Sequence, residues 1–374
     1  MTMQKMKTIA AAALLAATTL GASAQTAAGI TLYGSIDQYV NYMHSSSGTT
    51  VKSLEDGALL RSRWGLRGVE DLGDGLQAKF QLEGGFSTDT GTQADANRYF
   101  DRQTWAGIAG KYGEVRFGRQ NGPIQARGGY IDFTERTLGS VINNFGVPSR
   151  YDNDFAYISP RISGAQAEVH YAIPETTLGN KAAVMQGAVD WTDGTWRAGY
   201  MGIRAKPQTG AAVDKDMVYD NLFGNYKYSN GTVYVAYVHS NNNTSNATSN
   251  NAASIVSNVG GFNAGTSADL ANFYDIWQVS ADYYVTPLLR VGALWGKIDD
   301  KSGRGRGGSG GVVGAYYSLS KRTTLLALVD TMRNDSNGGW RPAGSAGLKT
   351  TFTAPTDING KTINGLQFGI VHKF

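Results

Sequence analysis

Between Leu59 and Phe86 the chain runs LLRSRWGLRGVEDLGDGLQAKFQLEGGF, and its apolar residues recur at every second position. In the first arm Leu60, Trp64 and Leu66 fall on one face, with Ser62 among them, while Arg61, Arg63, Gly65 and Arg67 fall on the other. A polar turn ending in Asp74-Gly75 follows. Then Leu76, Ala78, Phe80 and Leu82 stand opposite Gln77, Lys79, Gln81 and Glu83. Strand side chains point alternately to two faces, so this pattern predicts a β-hairpin of two amphipathic strands. One hairpin fits a soluble sandwich as well as a membrane barrel. The recurrence of the pattern and the lengths of the connections decide between them.

The pattern recurs along the whole chain. Ile30–Met43 places Ile30, Leu32, Ile36 and Val40 on one face, and Thr31, Ser35, Asp37 and Asn41 on the other. Further strands are expected at 98–109, 114–120, 151–159, 165–173, 184–191, 195–205, 217–228, 232–240, 273–285, 288–298, 311–319, 323–332 and 364–374. That makes about 16 strands. Short connections such as Ser163-Gly164, Asp193-Gly194 and Thr286-Pro287 alternate with long ones rich in Asn, Ser, Thr and Gly, at Asn41–Ala58, Asn241–Asn272 and Arg333–Ile363. Short turns on one rim and long loops on the other describe an outer-membrane barrel. Separate sandwich domains would not produce that alternation. The predicted fold class is therefore all-β: a transmembrane antiparallel β-barrel, with short periplasmic turns and long extracellular loops.

Elementary energetics supports this assignment. In hydrocarbon every backbone N–H and C=O needs a partner within the protein, and a closed barrel supplies one to each. An arginine facing mid-bilayer lipid costs roughly 2–4 kcal/mol, which assigns Arg61, Arg63 and Arg67 to the lumen. Tyr33, Trp64, Trp105, Tyr200, Trp277, Tyr283 and Trp295 are candidates for the aromatic girdles. The first residues, with Lys5 and Lys7 before an apolar stretch and Ala22-Ser23-Ala24, have the parts of a secretory signal peptide cut after Ala24. The domains expected are thus a leader over 1–24 and one barrel over 25–374. Removing the leader lowers the formal charge from +4 to +2, too small a bias to imply nucleic acid. There is no cysteine, which excludes disulfides and thiolate metal sites.

Several segments together resemble the Gram-negative general diffusion porins of the beta-proteobacterial type: SRWGLRGVEDLGDGLQAKFQLEGGF, the opening ITLYGSID, FDRQTWAGIAGKYGEVRFGRQ and the ending GLQFGIVHKF. The resemblance implies an outer-membrane homotrimer of barrels, each with its own water-filled pore. It also implies a third long loop folded into the lumen, where its acidic residues face a ladder of wall arginines. Arg63, Arg102 and Arg150 match ladder arginines, and Arg61 and Lys79, on lumen faces by alternation, are expected to join them. The inserted loop is expected at Asn121–Pro148, with Asp132 and Glu135 as its acids and with Arg127 and Arg136 added. Its Ser140-Val-Ile-Asn-Asn-Phe-Gly146 departs from the Pro-Glu-Phe-Gly-Gly run of the enteric members. Phe374 resembles the terminal aromatic read by the barrel assembly machinery, with Leu366, Phe368 and Ile370 on the same face.

Other functions find little footing. Gly307–Gly311 and Gly303–Gly308 match nucleophile-elbow and dinucleotide-loop strings, but no helical pattern follows them. His44, His170, His239 and His372 are scattered without metal spacing. The expectation is a passive channel with weak anion preference, without enzymatic activity, cofactor, metal or nucleic acid. A sugar-specific channel and, further off, a barrel hydrolase are the alternatives.

Overall fold

The computed structural model describes residues 29–173, 183–205, 216–241 and 273–374. The expected leader and the centre of the loop expected at 241–272 lie outside them. The described chain forms one antiparallel sheet closed on itself. The first half contributes β1 (Gly29–Ser45), β2 (Thr50–Asp56), β3 (Arg63–Gly73), β4 (Leu76–Gly85), β5 (Gln103–Gly110), β6 (Gly113–Asn121), β7 (Arg150–Ile158) and β8 (Ala165–Ala172). The second contributes β9 (Val184–Thr192), β10 (Trp196–Ala205), β11 (Met217–Tyr228), β12 (Gly231–Ser240), β13 (Tyr274–Tyr284), β14 (Leu289–Asp300), β15 (Gly308–Ser318), β16 (Thr323–Asn334) and β17 (Thr362–Lys373).

Closure runs through β1. One edge pairs with β17 from Ser35 to Ser45. The other pairs with β3 over Gly29–Ser35 and with β2 over Gln38–His44. β2 and β3 therefore share one stave, and the barrel has 16 strands around its circumference. Three expectations need correcting here. Asn41–Ala58 is not a long loop: β1 runs on to Ser45, turns within four residues and returns as β2. Leu60 does not join Trp64 on the outer face, because 57–62 is an inward kink. Asp37, fully buried on the lumen side, accepts the backbone N–H groups of Ala58, Leu59 and Leu60 at 2.9, 2.7 and 2.6 Å. The strand expected from Arg98 likewise begins only at Gln103.

The barrel is apolar outside. Ile30, Leu32, Ile36 and Val40 of β1 are exposed, whereas Ser35, Asp37, Tyr39, Asn41 and Met43 are buried inside. The same alternation puts Leu366, Phe368 and Ile370 outward on β17. Phe374 completes the seam: it exchanges backbone hydrogen bonds with Gly34 at 3.0 Å in both directions. Its ring occupies the space a Cβ on Gly34 would take.

The packed core lies within the barrel, because residues 122–149 fold into it. They form a helical turn α1 (Pro123–Ala126), a 3₁₀ turn at Gly128–Tyr130 and a short helix α2 (Val141–Phe145), capped by Ser140. Ile124, Ile131, Phe133, Leu138, Val141, Ile142 and Phe145 are buried against the wall. Glycines of the wall make the room. A Cβ on Gly292 would lie 2.3 Å from the Phe133 ring, and one on Gly296 would lie 2.9 Å from Val141.

Candidate functional site

Between the inserted loop and the wall opposite lies a polar cavity of 740 Å³. Six arginines line it: Arg61, Arg63, Arg102, Arg119, Arg150 and Arg136. The carboxylates among its lining are Asp95, Asp101 and Glu135.

The wall arginines differ in how far they are paired. Arg102 Nε donates to Glu83 at 2.6 Å, and Arg63 reaches the same oxygen at 3.8 Å. Arg119 pairs with Asp152 at 2.6 Å, and Arg61 stands 4.0 Å from Asp101. Arg150 is only 9% exposed, its Nε has no hydrogen-bond partner, and among the described residues no carboxylate reaches ion-pair distance. It is the least compensated charge of the group. Lys79 lies apart from the cavity, bonded to Glu114 at 3.1 Å beside Arg116. Strand alternation gives it a lumen side chain but says nothing of height, and its level is near the β3–β4 turn.

The loop's charges divide in a way the sequence did not announce. Glu135 is exposed to the cavity. Asp132 is only 1% exposed and accepts from Thr134, Arg136 N, Ser140 Oγ and Gln278 Nε2, so it fastens the loop to itself and to β13. Arg127 is buried on the wall, paired with Glu168 and, at 3.3 Å, with Asp190. Asp190 also holds Arg161 and Arg197. Arg136 donates to the carbonyls of Ile124 and Gln125 within the loop. Burial pulls the Arg136 guanidinium below its ordinary pKa, and the nearby Tyr219 and Asp132 offset the desolvation only in part. Arg127 and Asp132 are thus anchors, whereas Glu135 and one side of Arg136 face the aperture.

Arg119 escapes the sequence pattern for a physical reason. Phe117 faces outward, so strict alternation would send residue 119 outward too. The β6–β7 register shifts between Gly118 and Gln120, with Gly118 at φ +122°, and this bulge turns Arg119 into the lumen. Glu83 and Asp101 were within reach of alternation, yet nothing in the sequence marks them as arginine partners.

The comparisons with known proteins agree with this architecture. A family model described as Gram-negative porin matches residues 10–337. An outer membrane porin protein of Bordetella pertussis is 37% identical over 190 residues, 44% of this chain, and the match spans about half, 48%, of that protein's length. The major outer membrane protein P.IB of Neisseria gonorrhoeae is 26% identical over 354 residues, 87% of this chain and 92% of that protein. Among solved structures, an anion-selective porin from Comamonas acidovorans has a TM-score of 0.72 at 23% identity, covering 93% of this chain and 100% of that one. OmpT of Vibrio cholerae, in its trimer form, has a TM-score of 0.59 at 16% identity over 93% of this chain and 100% of that one. An arginine-lined aperture within a closed 16-strand barrel, matched over most of its length by one family model, makes this chain an outer-membrane member of the Gram-negative porin family.

Proposed function

We propose that the protein is a water-filled channel for passive diffusion of ions and small hydrophilic solutes, with a weak anion preference. The observation that carries this is the cavity itself: six arginines against three carboxylates at a polar constriction between loop and wall. Selectivity in such a pore follows from its width and from the sign of its lining charge. The anion preference is weak because Glu83, Asp101 and Asp152 neutralise much of the ladder. The constriction is assigned to Arg61, Arg63, Arg102, Arg119 and Arg150 on the wall and to Glu135 and Arg136 on the loop. Planar-bilayer recording in asymmetric KCl tests the proposal: discrete conductance steps with a reversal potential displaced toward chloride are expected. Absence of steps, or strong cation preference at low salt, would overturn it. The proposal includes no chemical step, so an ester-hydrolysis assay should stay at background.

A homotrimer is part of the same proposal, and the outer surface supports it. Near the short-turn rim, exposed aromatics run from Tyr112 and Tyr157 through Trp191, Trp196, Tyr226 and Tyr283 to Tyr317. Such residues anchor a barrel at the membrane interface. Over β1–β5 the corresponding level carries Ile30, Leu32, Leu72, Leu76 and Ile108 instead. That aliphatic sector suits contact with other copies better than contact with headgroups. Residues 1–24 are assigned to an export leader. The outward-facing Leu366, Phe368, Ile370 and Phe374 are assigned to recognition by the assembly machinery.

A further inference from the structure

We infer that the outer surface of the barrel carries a phospholipid site. A groove along β5, open at the short-turn rim, takes one acyl chain of a zwitterionic aminophospholipid and holds its phosphoethanolamine headgroup between Lys111 and Asp74. This inference goes beyond the channel proposed above and does not depend on it. It starts from the way two aromatic rings lean. On the outer face Phe80 of β4, Ala106 of β5, Phe117 of β6 and Phe155 of β7 stand in register at one level. The Phe80 ring turns toward β3, where a Cβ on Gly68 would lie 2.2 Å from it. The Phe117 ring turns toward β7 and meets Phe155 edge-on, with centroids 4.9 Å apart. Both rings leave β5 uncovered, and Ala106 is exposed between them.

Two residues nearer the rim on the same strand face, Ile108 walls a cavity of 380 Å³ together with Leu76, Val115 and Tyr157. Small-molecule sites begin at about 300 Å³. Gly110 leaves the space at its mouth, since a Cβ there would lie 2.9 Å from the Leu76 side chain. The Tyr157 hydroxyl donates to the Tyr112 carbonyl at 2.6 Å and so fastens the β5–β6 turn, which carries Lys111. Lys111 Nζ lies 4.8 Å from the centre of the Tyr112 ring. Asp74, on the β3–β4 turn, lines the same cavity, and among the described residues neither charge is in an ion pair. Short turns of an outer-membrane barrel face the periplasm, so the groove opens at the headgroups of the inner leaflet. There a lipid phosphate meets the Lys111 ammonium and a lipid amine meets the Asp74 carboxylate. A phosphoglycerol headgroup answers only the first. The groove lies where the aliphatic sector ends and the aromatic belt begins at Tyr112. A second copy of the chain seated on it would have to desolvate both charges, whereas a lipid leaves them in the headgroup layer.

Native mass spectrometry of the detergent-solubilised protein, with phosphatidylethanolamine and phosphatidylglycerol added in equal amounts, tests the site. One phospholipid per chain should be retained, with the ethanolamine form in roughly fivefold excess, as one exposed ion pair allows. Gly110→Leu fills the mouth and should abolish retention, and Lys111→Gln should lower it severalfold. Asp74→Asn should remove the preference between the two headgroups while retention persists. Lys321→Gln, on another short turn, is the control and should change nothing. Heat-modifiable migration on a gel checks that each variant forms the barrel. The chain has no cysteine, so Ala106→Cys can carry a single benzophenone. Irradiated in vesicles of the two lipids, that label should join to lipid. The inference would be overturned by no retained phospholipid in the wild type, by equal retention in Gly110→Leu, by a preference for phosphatidylglycerol, by an equal loss in Lys321→Gln, or by joining of position 106 to a second chain. Gly110→Leu should leave conductance steps unchanged, so failure of this site and failure of the channel proposal are read separately.

Discussion

Arg150 offers the sharpest test of how the constriction selects ions. The other wall arginines have carboxylates at or near ion-pair distance, but Arg150 has none among the described residues. Take a permeating chloride about 7 Å from the guanidinium. The attraction is about 0.6 kcal/mol in a water-like dielectric and about 2.4 kcal/mol at the effective value of ~20 near a protein surface. Screening at 0.1 M salt, with a length of ~10 Å, leaves roughly half of either figure. Arg150→Gln should therefore cost about 0.3–1.2 kcal/mol, or between ~1.6-fold and ~7-fold in chloride preference. The assay is the reversal potential across a KCl gradient at low mean salt. In molar salt, where the screening length is ~3 Å, the difference between wild type and variant should nearly vanish. An unchanged reversal potential at low salt, in a channel of normal conductance, would show that permeating ions do not sample this charge.

The mirror change is Glu83→Gln, which frees Arg102 and Arg63 and should raise chloride preference by a similar factor in the same measurement. Asp132→Ala removes the acceptor that fastens the inserted loop; it should increase open-channel current fluctuations and leave the reversal potential close to wild type, whereas a clear shift toward chloride would place Asp132 in the pore after all. Gly292→Val adds bulk where Phe133 is seated, and should displace the loop and change single-channel conductance while the barrel still resists detergent. Unheated in detergent the protein should migrate as a compact trimer and convert to monomer on boiling; monomer under both conditions would remove the trimer but not the barrel.

Much of the barrel was legible because lipid imposes a period of two on every stave. The faces expected for β1 and β17 are the faces observed, since burying Asp37 or exposing it to lipid differ by several kcal/mol. The strand count survived the misplaced first loop, because β2 and β3 occupy a single stave. What alternation cannot convey is height along the barrel, which is why Lys79 was grouped with a cluster that lies elsewhere. It also cannot foresee its own interruptions. The kink at 57–62 needs Asp37 to satisfy three backbone N–H groups, and the bulge at Gly118 reverses the face of Arg119. Each depends on a partner distant in sequence.

The roles of charged loop residues were the least legible part, and the structure shows why. Arg127 and Arg136 are both arginines within one short segment, and either could serve an aperture. A buried guanidinium has to be met by acceptors, and the wall supplies Glu168 and Asp190 to Arg127 but not to Arg136. Those acids sit on β8 and β9, far along the chain, so the choice between anchor and selector is made outside the loop. The apolar half of the loop is positioned in the same way, by glycines at 292 and 296 that leave space for Phe133 and Val141. The wall thus carries the loop's docking instructions, polar on β8–β9 and vacant on β14. A consequence is that formal charge counted over the loop overstates what ions meet. Of Asp132, Glu135, Arg127 and Arg136, two are spent on attachment, and the remaining pair nearly cancels. The sign of selectivity then falls to the wall, where Arg150 has no carboxylate at ion-pair distance among the described residues.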